Sequence, residues 1–211
     1  AGFPAPINHR FASSAGFALN FGTKNALARD KANFMISVII PTPDDNPVLI
    51  ETLAALVAGV AEGVLRDAII VGPSSVRIDD MAEAAGAVRV IKSGTQMQMI
   101  TEAAQSARAE LCFVIRAGLV PIGFWPNALA EGALRLRHGG EAGLLPLMAS
   151  AGFAEHLKTG MINWLARVSG RAHESHALLA AKAPLSQGIE KFRFIQLSAL
   201  VSDRKIHKSS H

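Results

Sequence analysis

The chain has 211 residues, half of them hydrophobic and 18% charged, which excludes a disordered polymer and suffices to bury one substantial core. Its net charge of +4 suits an anionic ligand or lipid surface, but no tyrosine and 6% aromatic residues argue against a base-stacking platform, so no nucleic-acid partner is expected. The single cysteine, Cys112, allows no internal disulfide and suits a reducing, cytoplasmic compartment, and no apolar run reaches the roughly 18 residues of a membrane span.

Residues 1–34 are rich in Ala, Gly, Asn and Phe and sustain no period. Arg10, Ser13, Ser14, Lys24 and Arg29 invite a targeting reading, yet the continuous apolar stretch of a secretory signal is missing. They are read as an N-terminal extension that packs on the domain or stays mobile. A single α/β domain is expected over 35–202. The run Ile36 to Pro41 predicts a strand closed by Pro41-Thr42, and Pro43 to Pro47 a polar turn. Val48, Leu49, Leu53, Leu56 and Val57 then recur at helical spacing, predicting a helix over 47–62 that ends near Gly63. Asp67 to Val71 predicts a second strand, closed by Gly72-Pro73-Ser74-Ser75. A short helix over 78–85 with Gly86 as its cap precedes a third strand, Val88 to Ile91. Gly94 opens a loop into a helix over 96–107, and Glu110 to Ile115 forms a fourth strand ending at Arg116-Ala117-Gly118. Strands separated by helices of this length imply parallel crossovers, hence a doubly wound, mostly parallel sheet flanked by helices. Ligands of such sheets collect at the carboxyl ends of the strands.

Past Pro121 the pattern changes. A helix over 126–137, a strand or loop over 143–150 and an amphipathic helix over 152–168 are expected. Ala177–Ala181 and Leu197–Val201 are weaker strand candidates, and 203–211 a polar tail that frays.

Several stretches match one known pattern in order and spacing. They are Ser37-Val38-Ile39-Ile40-Pro41-Thr42 with its polar turn, Leu49 to Leu56, and Ala68-Ile69-Ile70-Val71 before a Gly/Ser turn. Ala82-Glu83-Ala84-Ala85-Gly86, then Leu111 to Ile115 with Pro121 and Gly123-Phe124-Trp125, complete the set. Over 36–130 the chain resembles a family 2 glycosyltransferase of the GT-A fold; beyond 131 the likeness thins, although Gly170 to Leu185 is similar to the acceptor-side segment of such enzymes. The resemblance implies transfer of a sugar from a nucleotide-diphospho-sugar to a cell-envelope or polysaccharide acceptor, in the cytoplasm or at the inner face of the membrane. It places Pro41, Thr42, Asp44, Gly72, Ser74, Ser75, Gln96 and Arg116 around the nucleotide sugar.

The chain also departs from the family. An acidic residue that binds the base is expected at the end of the second strand, where Val71 stands. The fourth strand should end in an Asp-x-Asp motif, because a divalent cation bridges hard carboxylate oxygens to the diphosphate. Ile115 and Ala117 stand there instead, so no metal and no other cofactor is expected. Arg116 either replaces the cation, since a guanidinium binds phosphate oxygens bidentately, or is an ordinary solvated charge in a site that has lost its function. For the acceptor-side base, Glu174, His176 and Glu190 are weak candidates; His173-Glu174-Ser175-His176 is too closely spaced for the helical zinc motif.

Other features have plainer readings. Asp79-Asp80 complements a helix N-terminus, and Asp44-Asp45-Asn46 caps the first helix. Met97, Met99 and Ile100 read as core. The helix 152–168 sets Lys158 and Arg167 beside Phe153 and Trp164, a combination found in interfacial helices, but packing of its apolar stripe onto the sheet is the default. Two functions follow: a metal-independent glycosyltransferase, or a non-catalytic descendant serving as a binding or scaffold module. An unrelated dinucleotide-binding protein is disfavoured, because no G-x-G-x-x-G follows the first strand.

Overall fold

The first strand, β1 (Ile36–Pro41), is buried along its whole length. Ile36, Val38 and Ile40 enter one core and Ile39 another on the opposite face, which is why the strand reads as a continuous apolar run instead of an alternation. The structure is a computed structural model that describes residues 35–43, 47–136, 141–148 and 153–203. The expectations for 1–34, for Asp44 to Asn46 and for 204–211 lie outside the described residues.

From β1 the chain runs through α1 (Leu49–Ala61), β2 (Leu65–Gly72), α2 (Val76–Ala84), β3 (Val88–Ile91), α3 (Gln96–Ser106) and β4 (Leu111–Val114). Then come β5 (Leu119–Ile122), α4 (Trp125–Arg135), β6 (Glu141–Leu145), α5 (Phe153–Ser169), β7 (Ala177–Ala181), α6 (Lys182–Ser186), β8 (Arg193–Gln196) and β9 (Leu200–Asp203). Seven strands form one sheet in the order β3-β2-β1-β4-β7-β6-β8, and β5 pairs with β9 in a separate ribbon. The first four strands are parallel; β7 is antiparallel to both β4 and β6, and β8 is parallel to β6.

Strand order fixes where a ligand can enter. The chain moves outward from β1 to β2 to β3, then crosses back to lay β4 on the other side of β1. Leu49 and Leu56 of α1, Ile78 of α2 and Trp125 of α4 cover one face. Met99, Ile100 and Ala103 of α3 and Leu185 of α6 cover the other. The topological switch therefore lies between β1 and β4, and its crevice opens at their carboxyl ends. Because β7 runs antiparallel to β4, with Val114 opposite Leu178, the turn before β7 is delivered to this same rim.

Three expectations are corrected, and three elements are additional to them. The strand at 197–201 is replaced by β8 and β9 on either side of Leu197. β9 includes Asp203, so the expected tail gives up its first residue to the ribbon. β5, β8 and α6 were not anticipated. Finally, the apolar stripe of α5 does not pack onto the sheet: Leu157, Met161, Trp164, Leu165 and Val168 are exposed. The inward face of α5 is made by small and polar residues instead, with Thr159 and Ala166 buried and Asn163 hydrogen-bonded to the main chain of Leu147.

Candidate active site

At the β1–β4 switch the rim is knit by its own main chain. The Ala117 N–H donates to the Pro41 carbonyl (3.3 Å), and the Thr42 N–H donates to Val71 O (2.8 Å). Thr52 of α1 clamps the segment after β4: its hydroxyl accepts from Gly118 N (2.9 Å) and donates to Leu119 O (3.0 Å). Gly72 lies so close to β1 that a Cβ there would sit 2.2 Å from Thr42 O, so only glycine allows the two strand ends to approach this closely. Of the residues expected around a nucleotide, Pro41, Thr42 and Gly72 are buried in this rim and Ser74 is exposed. Ser75 caps α2 by accepting from Ile78 N.

Arg89 on β3 is the rim residue that sequence reasoning missed. Its guanidinium pairs with Asp79 (2.7 Å) and donates to the carbonyls of Ile70, Gly72, Pro73 and Val90. Three of these carbonyls, those of Ile70, Gly72 and Pro73, belong to the carboxyl end of β2 and the turn after it, so the guanidinium ties that end to α2 and β3. No sequence signal marks it, since an arginine in a strand and an aspartate ten residues earlier meet only when β3 pairs with β2. Asp79 therefore does more than complement a helix N-terminus.

Arg116, at the end of β4, is held by Asp203 of β9 (3.4 Å), with both side chains largely buried and the Arg116 Nε unpartnered. Its flanking residues Ile115 and Ala117 are buried apolar side chains with no atom that can ligate a cation. The residues here do not fit a divalent metal: a hydrophobic side chain, a guanidinium already paired and a methyl group replace oxygen ligands. Among the described residues no group of three His, Cys, Asp or Glu side chains is placed to hold a metal ion.

Beside β4, on the face covered by α3, is a cavity of about 200 Å³. It joins Gln96 at the start of α3 to Arg171, His173 and His176 of the turn before β7 and to Glu190. Val114, Leu178 and Phe192 contribute to its apolar wall. The capping box of Thr95 and Gln98 fixes the α3 N-terminus and so the position of Gln96. Two expected candidates, Gln96 and Glu190, and the third, His176, are thereby brought together from segments nearly 100 residues apart, whereas Glu174 is exposed on the turn and is not part of the lining.

His176 and Glu190 differ in freedom. The His173 N–H donates to His176 Nδ1 (3.1 Å), so the Nε2–H donates to Asn163 Oδ1 (2.8 Å). Burial first, and then the neighbouring His173, push its pKa down to about 4. With a neutral ring and both nitrogens engaged, His176 acts in this arrangement as a positioning residue for the turn. Glu190 is half-exposed and only loosely paired with Arg171 (3.7 Å), so both groups can reach a ligand. A larger, mainly apolar groove of about 570 Å³ lies between α1 and α2. Its charged lining residues, Arg66 and Asp67, stand at the start of β2, away from the carboxyl rim.

No protein-family model and no curated protein sequence matches the chain. Solved structures do. Glucosyl-3-phosphoglycerate synthase from Mycobacterium tuberculosis, in complex with Mg2+ and UDP, aligns with a TM-score of 0.54 at 14% identity, over 86% of this chain and 75% of that one. The same enzyme with Mn2+ and UDP-glucose aligns with a TM-score of 0.54 at 13% identity and the same coverage. A structure described as a mycobacterial protein aligns with a TM-score of 0.50 at 18% identity, over 75% of this chain; the chain spans 57% of its length. The fold is that of a GT-A glycosyltransferase. Within it, the β4 end of this GT-A domain carries Arg116 and its partner Asp203, and the β2 end carries Val71 beneath the Arg89 network.

Proposed function

We propose that the chain binds a nucleotide-diphospho-sugar at the β1–β4 switch, as a divergent glycosyltransferase of the family 2 type, without a divalent cation. The observation that carries this reading is the cavity at the carboxyl edge of β4, where Gln96, Arg171 and Glu190 converge. The rim at the ends of β1 and β2, with Pro41, Thr42, Gly72, Ser74 and Ser75, is the nucleoside side of this proposal. Gln96 faces the sugar. Arg171 supplies the positive charge toward the diphosphate, because Arg116 is already committed to Asp203, and a guanidinium can bind two phosphate oxygens at once. Glu190 is the carboxylate best placed to accept the proton of an attacking acceptor hydroxyl. A cell-envelope or polysaccharide acceptor is the substrate class of this proposal.

The Arg116–Asp203 pair favours a second reading, a non-catalytic nucleotide-sugar or scaffold module, since it fills the β4 end with a neutralised internal ion pair. Titration calorimetry with UDP- and GDP-sugars, with and without a chelator, separates the readings. The donor proposal predicts saturable binding that chelation leaves unchanged and that Arg171→Ala weakens by at least about tenfold, as loss of a charge-assisted bond of roughly 1.5–3 kcal/mol requires. Turnover of the bound donor that Glu190→Gln abolishes without loss of affinity supports transfer. Binding without turnover supports the non-catalytic module. Failure to bind any nucleotide sugar overturns the donor proposal.

A further inference from the structure

α5 carries its apolar stripe on the outside. Leu157, Met161, Trp164, Leu165 and Val168 are between 48% and 67% exposed. They follow one another at the three- and four-residue steps of a single helix face. The helix is nevertheless firmly mounted: Asn163 pairs with both the N–H and the C=O of Leu147 at 3.2 Å and accepts from His176, while Thr159 and Ala166 are buried beneath it. The outward face is thus a property of the folded domain and not of a loose helix.

Charge identifies the occupant. At about 100° per residue, Lys158 falls just outside one edge of the stripe and Arg167 beyond the other. The single carboxylate of α5, Glu155, falls on the far side from the stripe. An apolar centre with a cation on each shoulder and a tryptophan within it is the arrangement that seats a helix in the plane of a lipid surface. Apolar side chains enter the acyl boundary, while Lys and Arg extend to anionic headgroups. Among the described residues no helix is long and apolar enough to cross a membrane, so the contact is in-plane. We propose that α5 docks the protein flat on an anionic lipid bilayer through Leu157, Met161, Trp164, Leu165 and Val168, with Lys158 and Arg167 at the headgroups. The inference is independent of the donor reading, because no residue of the stripe lines the cavity.

Vesicle flotation and tryptophan fluorescence of the full chain test it. Phosphatidylglycerol-containing vesicles should float the protein and blue-shift its emission, and pure phosphatidylcholine vesicles should do so far less. The shift should vanish in Trp164→Phe, since the other tryptophan, Trp125, is buried. Leu157→Glu/Val168→Glu should weaken partition by at least about tenfold with an unchanged far-ultraviolet circular dichroism spectrum, given the apolar area it withdraws. Lys158→Glu/Arg167→Glu should weaken it in the same direction, most at low salt. No binding to anionic vesicles, equal binding by the stripe variant, or a wild-type dimer that the stripe variant dissociates would each overturn the proposal.

Discussion

His176 joins three parts of the chain through one neutral ring: its own turn through the His173 N–H, α5 through Asn163, and through that amide the segment after β6 at Leu147. Burial first, and then the neighbouring His173, disfavour the charged ring, so the folded state resists protonation and the pKa falls to about 4 from 6.5. Between these values the unfolded chain binds more protons than the folded one. Stability from this residue is therefore complete above pH 6.5 and is lost as pH falls toward 4, by on the order of 3 kcal/mol. Urea denaturation at pH 7 and pH 4.5 should show this loss in the wild type and a markedly smaller one in His176→Gln; equal losses would remove the ring from the account. Arg116 and Asp203 pose the opposite problem, a buried pair in which one nitrogen is already unpartnered. Asp203→Asn leaves the guanidinium without its counter-charge and should destabilise by about 3 kcal/mol, measured at neutral pH. Arg116→Met in that background should recover part of the loss, because it removes the stranded charge.

At the scale of elements, what the sequence revealed depended on how local the cause was. β1 is bounded as expected because its β-branched run ends at Pro41, and α3 because Thr95 and Gln98 close a capping box at its start. That box is worth about 1 kcal/mol, so Thr95→Ala should lower the urea midpoint by the corresponding amount and loosen Gln96 at the cavity wall. An unchanged midpoint would show that packing of Met99, Ile100 and Ala103 alone fixes the helix. The elements that escaped notice are defined by distant partners. β5 and β9 are four residues each, and β5 contains Pro121; they become strands only because Leu119 meets Asp203 and Ile122 meets Leu200. The amphipathic character of α5 was legible but its orientation was not, since its inward contacts are the polar bonds of Asn163 and the small side chain of Ala166. The candidate site follows the same rule. The loss of carboxylates at Val71, Ile115 and Ala117 stands in the sequence, whereas the meeting of Gln96 with Glu190 depends on the antiparallel return of β7.

For the whole molecule, the last described strand closes what the parallel half begins. β9 pairs with β5, Val201 exchanges hydrogen bonds with the 146–148 segment at Pro146 O and Met148 N, and Asp203 neutralises Arg116 at the end of β4. Val201 and Ala199 also belong to the core that holds Ile36, Ile70 and Trp125. Arg116 and Asp203, 87 positions apart in the chain, thus tie the second half of the domain back to the central sheet at the end of β4. If β9 belongs to the same cooperative unit as β1 to β4, a chain ending at Ser198 loses two buried side chains, the ribbon's hydrogen bonds and the charge partner of Arg116 together. A summed loss of about 4 kcal/mol corresponds to a melting temperature lower by about 10 °C for a domain of this size. The truncated protein should also melt over a broader range, and it should lose more stability than Asp203→Asn alone, because only the ion pair is missing in that variant. A truncated chain that melts within about 2 °C of the full one, with an unchanged slope, would place β9 outside the cooperative unit and leave the Arg116 pair as a local surface fastening.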